Sequence, residues 1–185
     1  KEFSLKIGTA LKRMEQLIQS MLKITRIDAG SISFEKSNYS IPNIINHAIS
    51  ELTTRADNEK KEIVIDGDLE QMLYCDIEWT GEAIGNIIKN ALDHTDIGGK
   101  ISISWEQTPA MIRIFITDNG HGISQEDIHH IFKRFYRSKN TSESQGIGLG
   151  LPLAKAIVEG QGGILSVQSE LLQGTTFTLS FLTES

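Results

Sequence analysis

The stretch GIGLGLPLAKAI, residues 146–157, sets glycines at alternate positions directly ahead of an apolar helical pattern. Glycine loses more conformational freedom on folding than any other residue, so a group of them needs a reason. Pro152 suits the first turn of a helix running from about Gly150 to Gln161, where Gly162 and Gly163 stop it. A helix start offers unpaired N–H groups and the positive end of the dipole. Glycines let an anion approach those groups, and phosphate is the usual guest. No Gly-Lys-Ser/Thr follows, so this is not a Walker A loop, and no strand precedes it as a dinucleotide fingerprint requires. A purely structural glycine-rich turn fits the same residues.

The neighbouring segments narrow the choice. Residues 137–145, RSKNTSESQ, hold no apolar side chain and read as a mobile loop. Before them, IFKRFYRSK (131–139) offers Phe132 and Phe135 for packing. It leaves Lys133, Arg134, Arg137 and Lys139 as a basic cluster, either closing over phosphates or simply solvated. In TDNGHGI (117–123) Asp118 ends a strand, with Gly120 and Gly122 in the turn. Asp-Asn-Gly is ordinary turn chemistry. A carboxylate there can also accept a hydrogen bond from an adenine amino group, with the glycines making room for the flat ring. The helix EAIGNIIKNALDHT (82–95) carries Asn86 and Asn90 on one face, Glu82 a turn earlier, and Asp93 and His94 after them. This is either a solvated polar face or an amide oxygen for a hard cation such as Mg2+, which keeps waters and phosphates in its other positions.

The flanks supply the architecture. Residues 4–28 step apolar side chains by four and three through Ile7, Leu11, Met14, Ile18, Met21 and Thr25, with Ala10, Leu17 and Ile24 widening the stripe. An intermolecular bundle helix is expected, the alternative being a helix packed on its own domain. SISFEKSNYSI (31–41) suggests an edge strand or hairpin, and Pro42 opens a helix over about 42–58. KEIVID, QMLYC, KISISWEQ, MIRIFITD, ILSVQSE and TTFTLSFL read as strands, with a hairpin near Pro109. Asp76 is the expected N-cap of a long helix through about His94, and residues 125–131 form a short one. The fold class is α/β: a two-layer sandwich of one mixed sheet and about three helices, preceded by one long N-terminal bundle helix.

The 185 residues are enough for one domain plus an extra element. A net charge of -6 argues against a broad nucleic-acid-binding face. Cys75 is the only cysteine and reads as a small core residue of a strand. No apolar run approaches the roughly 20 residues of a membrane span, and no signal peptide opens the chain. The start is mid-pattern, so a soluble piece of a longer protein in a reducing cytoplasm is expected.

Taken in order, these elements strongly resemble the catalytic, ATP-binding domain of sensor histidine kinases, members of the gyrase, Hsp90, histidine kinase and MutL ATPase superfamily. NIIKNALDHT is similar to the N box, DNGHGI to the G1 box, IFKRFYR to the F box and GIGLGL to the G2 box. GTTF (174–177) is similar to the last glycine motif. LIQSMLKITRIDAGSISFEKSNYSI resembles the second dimerisation helix and its exit, so 1–30 is expected to be part of the dimerisation domain and 31–185 the catalytic domain.

The resemblance implies ATP and Mg2+ as cofactors. Asn90 would hold the metal, with Asn86 supporting the phosphate side. Asp118 would bond the adenine amino group, helped by Thr175 through water. Gly120, Gly122 and Ile123 would shape the base pocket, and His94 stands where an aromatic ring usually lies. Arg134 and Arg137 would reach the phosphates; Phe135, Gly146, Ile147, Gly148, Leu149 and Gly150 would line the nucleotide and hinge a lid. It also implies a homodimer and a response regulator receiver domain as partners in the intact protein, with membrane anchorage only through missing N-terminal segments and this portion in the cytoplasm. Superfamily ATPases carry a glutamate base where this chain has Asn86, whose amide is no useful base. Glu82 lies about 6 Å further along the axis. Transfer to a histidine imidazole is therefore expected over hydrolysis. Asp93 stands where a basic residue is common and would repel the nucleotide unless it points away or helps the metal. None of His47, His94, His121, His129 and His130 has the phosphoacceptor context, so the acceptor is expected to be absent. The alternatives are a catalytically silent nucleotide-binding or dimerisation module, and a stand-alone superfamily ATPase or serine kinase.

Overall fold

The apolar stripe near the start folds as one helix, α1 (Glu2–Asp28), in a computed structural model that describes residues 2–138 and 146–183, with side chains from residue 7 onward. The stripe divides. Ile24 is buried, with Leu17, Met21 and Ile27 packed beside it, while Ile7, Leu11, Met14 and Ile18 stay exposed. The C-terminal half of α1 is thus part of this core, and the N-terminal half presents a bare apolar ridge.

The strand expected over 31–41 is only β1 (Ser37–Ser40). The helix expected over 42–58 is two helices, α2 (Ile41–Ile49) and α3 (Leu52–Asn58). The break falls at Ser50, where the Ser50 hydroxyl donates to the His47 carbonyl at 3.1 Å and Thr53 Oγ1 donates to the Ser50 carbonyl at 3.4 Å. Such local side-chain bonds compete with the helix ladder. Strand β2 (Glu62–Asp66) and β3 (Met72–Cys75) follow. Then come α4 (Ile77–His94), β4 (Lys100–Gln107), β5 (Met111–Asp118), the single turn α5 (Gln125–Ile128), α6 (Gly150–Gly160), β6 (Ile164–Glu170) and β7 (Gly174–Leu182).

Five strands make the mixed sheet, in the order β2-β4-β5-β7-β6, with β2 parallel to β4 and the other pairs antiparallel. β1 and β3 form a separate antiparallel pair instead of joining it. Alternation places Ile101, Ile103, Ile114, Ile116, Phe177 and Leu179 in the core. Helices α2, α4 and α6 supply Ile44, Ile45, Ile84, Ile87, Ile88, Leu153 and Ile157 to the same core. Cys75 is buried in it, and burial pushes its thiol pKa up to about 11.

Two buried polar side chains anchor the start of α4, and one of them ties it to α6. Asp76 caps α4, its Oδ1 accepting from Trp79 N at 3.2 Å and its Oδ2 from Glu35 N at 2.8 Å. Gln161, just past α6 and 6% exposed, accepts from Asp76 N at 2.8 Å through Oε1 and donates to Thr80 Oγ1 at 3.0 Å through Nε2. Replacing Gln161 by alanine leaves the Asp76 N–H and the Thr80 hydroxyl buried without their partner. The expected loss is about 2 kcal/mol of unfolding free energy. Urea titration reads this as a lower midpoint at unchanged slope; a midpoint equal to wild type removes Gln161 from the account of how α4 is fixed.

Candidate functional site

The apolar face of α4 is buried under α2 and α6, which turns Asn86 and Asn90 toward the opposite side. Asn86 Nδ2 donates to the Glu82 carbonyl at 3.0 Å. Its Oδ1 faces the start of α6, where a Cβ placed on Gly150 would lie 3.3 Å away. The Asn90 amide has no hydrogen-bond partner among the described residues. Glu82 is held by Lys23 of α1 at 2.6 Å.

Two cavities meet at Asn90. The larger, about 940 Å³, runs between α1 and α4 and is lined by Asn86, Asn90, Asp93 and Gly146 through Leu153. No side chain caps the first turn of α6; Pro152 has no N–H and Leu153 N donates to the Leu149 carbonyl at 3.0 Å, which leaves the N–H groups of Gly150 and Leu151 on that side. The smaller, about 320 Å³, is lined by Asn90, His94, Asp118, Gly122, Ile123, Arg137, Gly146, Gly148 and Thr175. The polar face of α4, the Asp118 carboxylate and the segment entering α6 therefore line two adjoining cavities that share Asn90, Asp93, Gly146 and Gly148.

Asp118 ends β5 opposite Thr175 of β7 and is 4% exposed. Burial pushes its pKa up, opposed by the hydrogen bonds from the Gly120 and Thr175 backbone and by the nearby His121. The Gly120 N–H reaches Asp118 Oδ1 at 2.9 Å. Burial likewise pushes the His94 pKa down, against the pull of Asp93, so a neutral imidazole lines this end. Ser169, which sequence reasoning missed, ties the walls together. Its hydroxyl accepts from Ile123 N at 2.8 Å, donates to the Gly174 carbonyl at 2.8 Å and sits 2.9 Å from Thr175 Oγ1. Leu171 and Leu172 on the β6–β7 turn also line the pocket. Two large apolar residues in a polar turn were the available signal for them.

The glycines respond mainly to the protein's own backbone. Gly122 has φ +69° and faces the Glu170 carbonyl, which a Cβ would meet at 2.0 Å. Gly148 has φ +77°, and a Cβ there would lie 2.7 Å from the Tyr136 carbonyl. Phe135 N donates to the Gly148 carbonyl at 2.9 Å, so the two stems of the 137–150 segment are clasped. Residues 139–145, including Lys139 and most of the expected mobile loop, lie outside the described residues.

The basic segment departs from expectation. Arg134 lines neither cavity, because its guanidinium is ion-paired with Asp28 at the end of α1. Phe135 is exposed at φ +63° and does not pack; Phe132 alone does so, edge-on to Phe177 with centroids 6.4 Å apart. Tyr136 and Ser138 both donate to Asp127 of α5, Ser138 at 2.6 Å, which anchors the first stem. Asp93 does not stand alone on the rim, because Arg55 Nη2 donates to its Oδ1 at 2.6 Å.

Comparisons agree with this geometry. A family model described as histidine kinase-, DNA gyrase B- and HSP90-like ATPase matches residues 75–185. The sensor protein SrrB of Staphylococcus aureus is 30% identical over 170 residues, covering 91% of this chain; the chain spans 29% of that relative's length. Among solved structures, full-length ShkA in complex with AMPPNP superposes with a TM-score of 0.85 at 19% identity, over 100% of this chain and 39% of that one. Histidine kinase ThkA in complex with the response regulator protein TrrA superposes with a TM-score of 0.77 at 20% identity, over 100% of this chain and 51% of that one. With the family model matching more than half of its length, the chain that gathers the paired asparagines, the sunken Asp118 and the glycine-led α6 belongs to the histidine kinase-, DNA gyrase B- and HSP90-like ATPase family.

Proposed function

We propose that the smaller cavity takes the adenine of ATP, the larger its phosphates, and that Asn90 carries Mg2+ where the two meet. The observation that carries this reading is the pair of adjoining cavities, one holding the buried Asp118 carboxylate and the other the uncapped start of α6, that share Asn90, whose amide has no partner among the described residues. Asp118 accepts from the adenine amino group, and the neutral His94 ring offers the base a flat wall. An unpartnered amide oxygen suits a hard cation. Among the described residues no cluster of His, Cys, Asp and Glu could hold a metal ion, so most of the metal's shell would come from phosphate and water. Bound there, Mg2+ would neutralise phosphate charge. Asn86 and the α6 N–H groups orient the tail, Arg137 reaches it only from the smaller cavity, and Arg134 joins them only on releasing Asp28.

The reaction we infer is transfer of the γ-phosphate to a histidine imidazole, followed by relay to a response regulator aspartate. Asn86 offers no base, and the Glu82 carboxylate is engaged by Lys23, so water activation is poorly served. Phosphoryl transfer needs positioning and charge neutralisation above all. None of the five histidines has acceptor context, so the acceptor is proposed to lie on a segment outside this sequence. Residues 1–30 are read as the second helix of a dimerisation domain, whose exposed Ile7, Leu11, Met14 and Ile18 suit a homodimeric bundle, with 31–185 as the catalytic domain. The portion is assigned to the cytoplasmic side of a sensor kinase. Among the described residues no helix is long and apolar enough to cross a membrane.

Two variants test the division of labour. Asn90→Ala should weaken AMPPNP at least about tenfold in the presence of Mg2+ and leave Mg2+-free adenosine binding unchanged, read by calorimetry. Equal losses for both ligands would remove the metal role. Asp118→Asn should weaken adenosine and AMPPNP alike, because the buried carboxylate is the acceptor both share. Its pKa also sets a pH dependence. Adenine binding favours the ionised carboxylate, so wild-type affinity is full above the raised Asp118 pKa and falls as pH drops through it. The Asp118→Asn variant should show a flat profile there; a wild-type affinity that rises on acidification contradicts the assignment.

A further inference from the structure

Asp93 brings a negative charge to the rim where the two cavities meet, less than one turn beyond Asn90. Left alone, it would oppose any polyphosphate entering the larger cavity. The fold sets a cation against it from a different helix. Arg55 of α3 donates from Nη2 to Asp93 Oδ1 and from Nε to Glu59 Oε1, both at 2.6 Å. Glu59 is in turn fixed by Lys61, whose Nζ reaches Glu59 Oε2 at 2.5 Å and the Leu92 carbonyl at 2.6 Å. Two bonds on different nitrogens hold the guanidinium plane in one orientation. Its Nη1 has no partner among the described residues. The Arg55 side chain is 33% exposed and lines the larger cavity together with Asn86, Asn90 and Gly150.

A cation tied only to join α3 to α4 needs no opening to that cavity. Arg55 has one, with an N–H group to spare. Its two carboxylate partners cancel the charge of the Arg55–Lys61 pair, so the cluster is neutral before a ligand arrives and Asp93 no longer repels one. We propose that Arg55 is a phosphate-binding residue of this site, brought in from α3 and aimed by Glu59 and Asp93 at the polyphosphate of a Mg2+-bound adenine nucleotide. Glu59 and Asp93 are positioning residues in this arrangement. The proposal rests on the nucleotide reading given above, and it makes Arg55 selective for the tail over the base.

The experiment compares AMPPNP with Mg2+ and adenosine as ligands for the full chain, by calorimetry, with unfolding midpoints measured beside them. Arg55→Gln should weaken AMPPNP at least about tenfold while adenosine stays within about twofold of wild type. Arg55→Lys keeps the charge but not the fork, so its AMPPNP loss should fall between the two. Unaltered AMPPNP affinity in Arg55→Gln overturns the assignment and leaves the nucleotide reading standing. So does an equal loss for adenosine and AMPPNP in both variants, which would make Arg55 a strut between α3 and α4. A wild-type chain that binds neither ligand overturns the nucleotide reading, and this one with it.

Discussion

The fastening of α4 to α6 is the constraint on which the site depends. Gly150, at the start of α6, meets Asn86 in the middle of α4, and Gln161, at its end, grips Asp76 and Thr80 at the start of α4. The two helices therefore run antiparallel. The matching stretches are of similar length, about 15 Å each at the usual helical rise. The buried Gln161 helps fix the register of one helix on the other from the far end, and at that register the start of α6 lies beside Asn86.

Around that pair, acids on the rim are matched with bases from other elements. Glu82 takes Lys23 of α1, Asp28 takes Arg134, and Asp93 takes Arg55 of α3. These side chains are partly exposed, and pairs of this kind contribute on the order of 0–1 kcal/mol to stability. Their consequence is positional. The Lys23–Glu82 and Arg55–Asp93 pairs set the charge that faces the cavity between α1 and α4. The Asp28–Arg134 pair also joins the end of α1 to the segment whose Ile131 and Tyr136 line both cavities. The placement of α1 and the availability of one guanidinium are therefore linked.

Much of this was legible in the sequence, for reasons that are local. Asp76 was readable as a cap because capping chemistry is short-range, and α4 and α6 because their apolar residues recur at helical spacing. The strands of the main sheet alternate cleanly since one face is buried and the other carries residues such as Ser102, Ser104 and Thr176. The misreadings have equally physical sources. Helix 42–58 looked continuous because the hydroxyl bonds that break it at Ser50 leave the apolar period intact. Phe135 looked like core, but its left-handed backbone turns it outward. Arg134 and Arg55 were beyond reach for one reason. Their partners, Asp28 and Asp93, lie 106 and 38 residues away in the chain.

The chemical contrast between the two ends of the space bears on which reaction the site favours. On the proposed reading, the buried Asp118 carboxylate and the neutral His94 imidazole would recognise a flat, uncharged ring at one end. At the other, the amides of Asn86 and Asn90 and the Arg55 guanidinium would stabilise negative charge without accepting a proton. Asn86 spends one of its N–H donors on the Glu82 carbonyl, and the two carboxylates of this part of α4 are each paired with a cation from another helix, Glu82 with Lys23 and Asp93 with Arg55, so neither stands free as a base. An attacking group that meets this site must bring its own nucleophilicity. A neutral imidazole does so near pH 7, whereas water or a serine hydroxyl does not. On the proposed reading, the side chains of α4 suit phosphoryl transfer to an imidazole better than hydrolysis before any partner domain is considered.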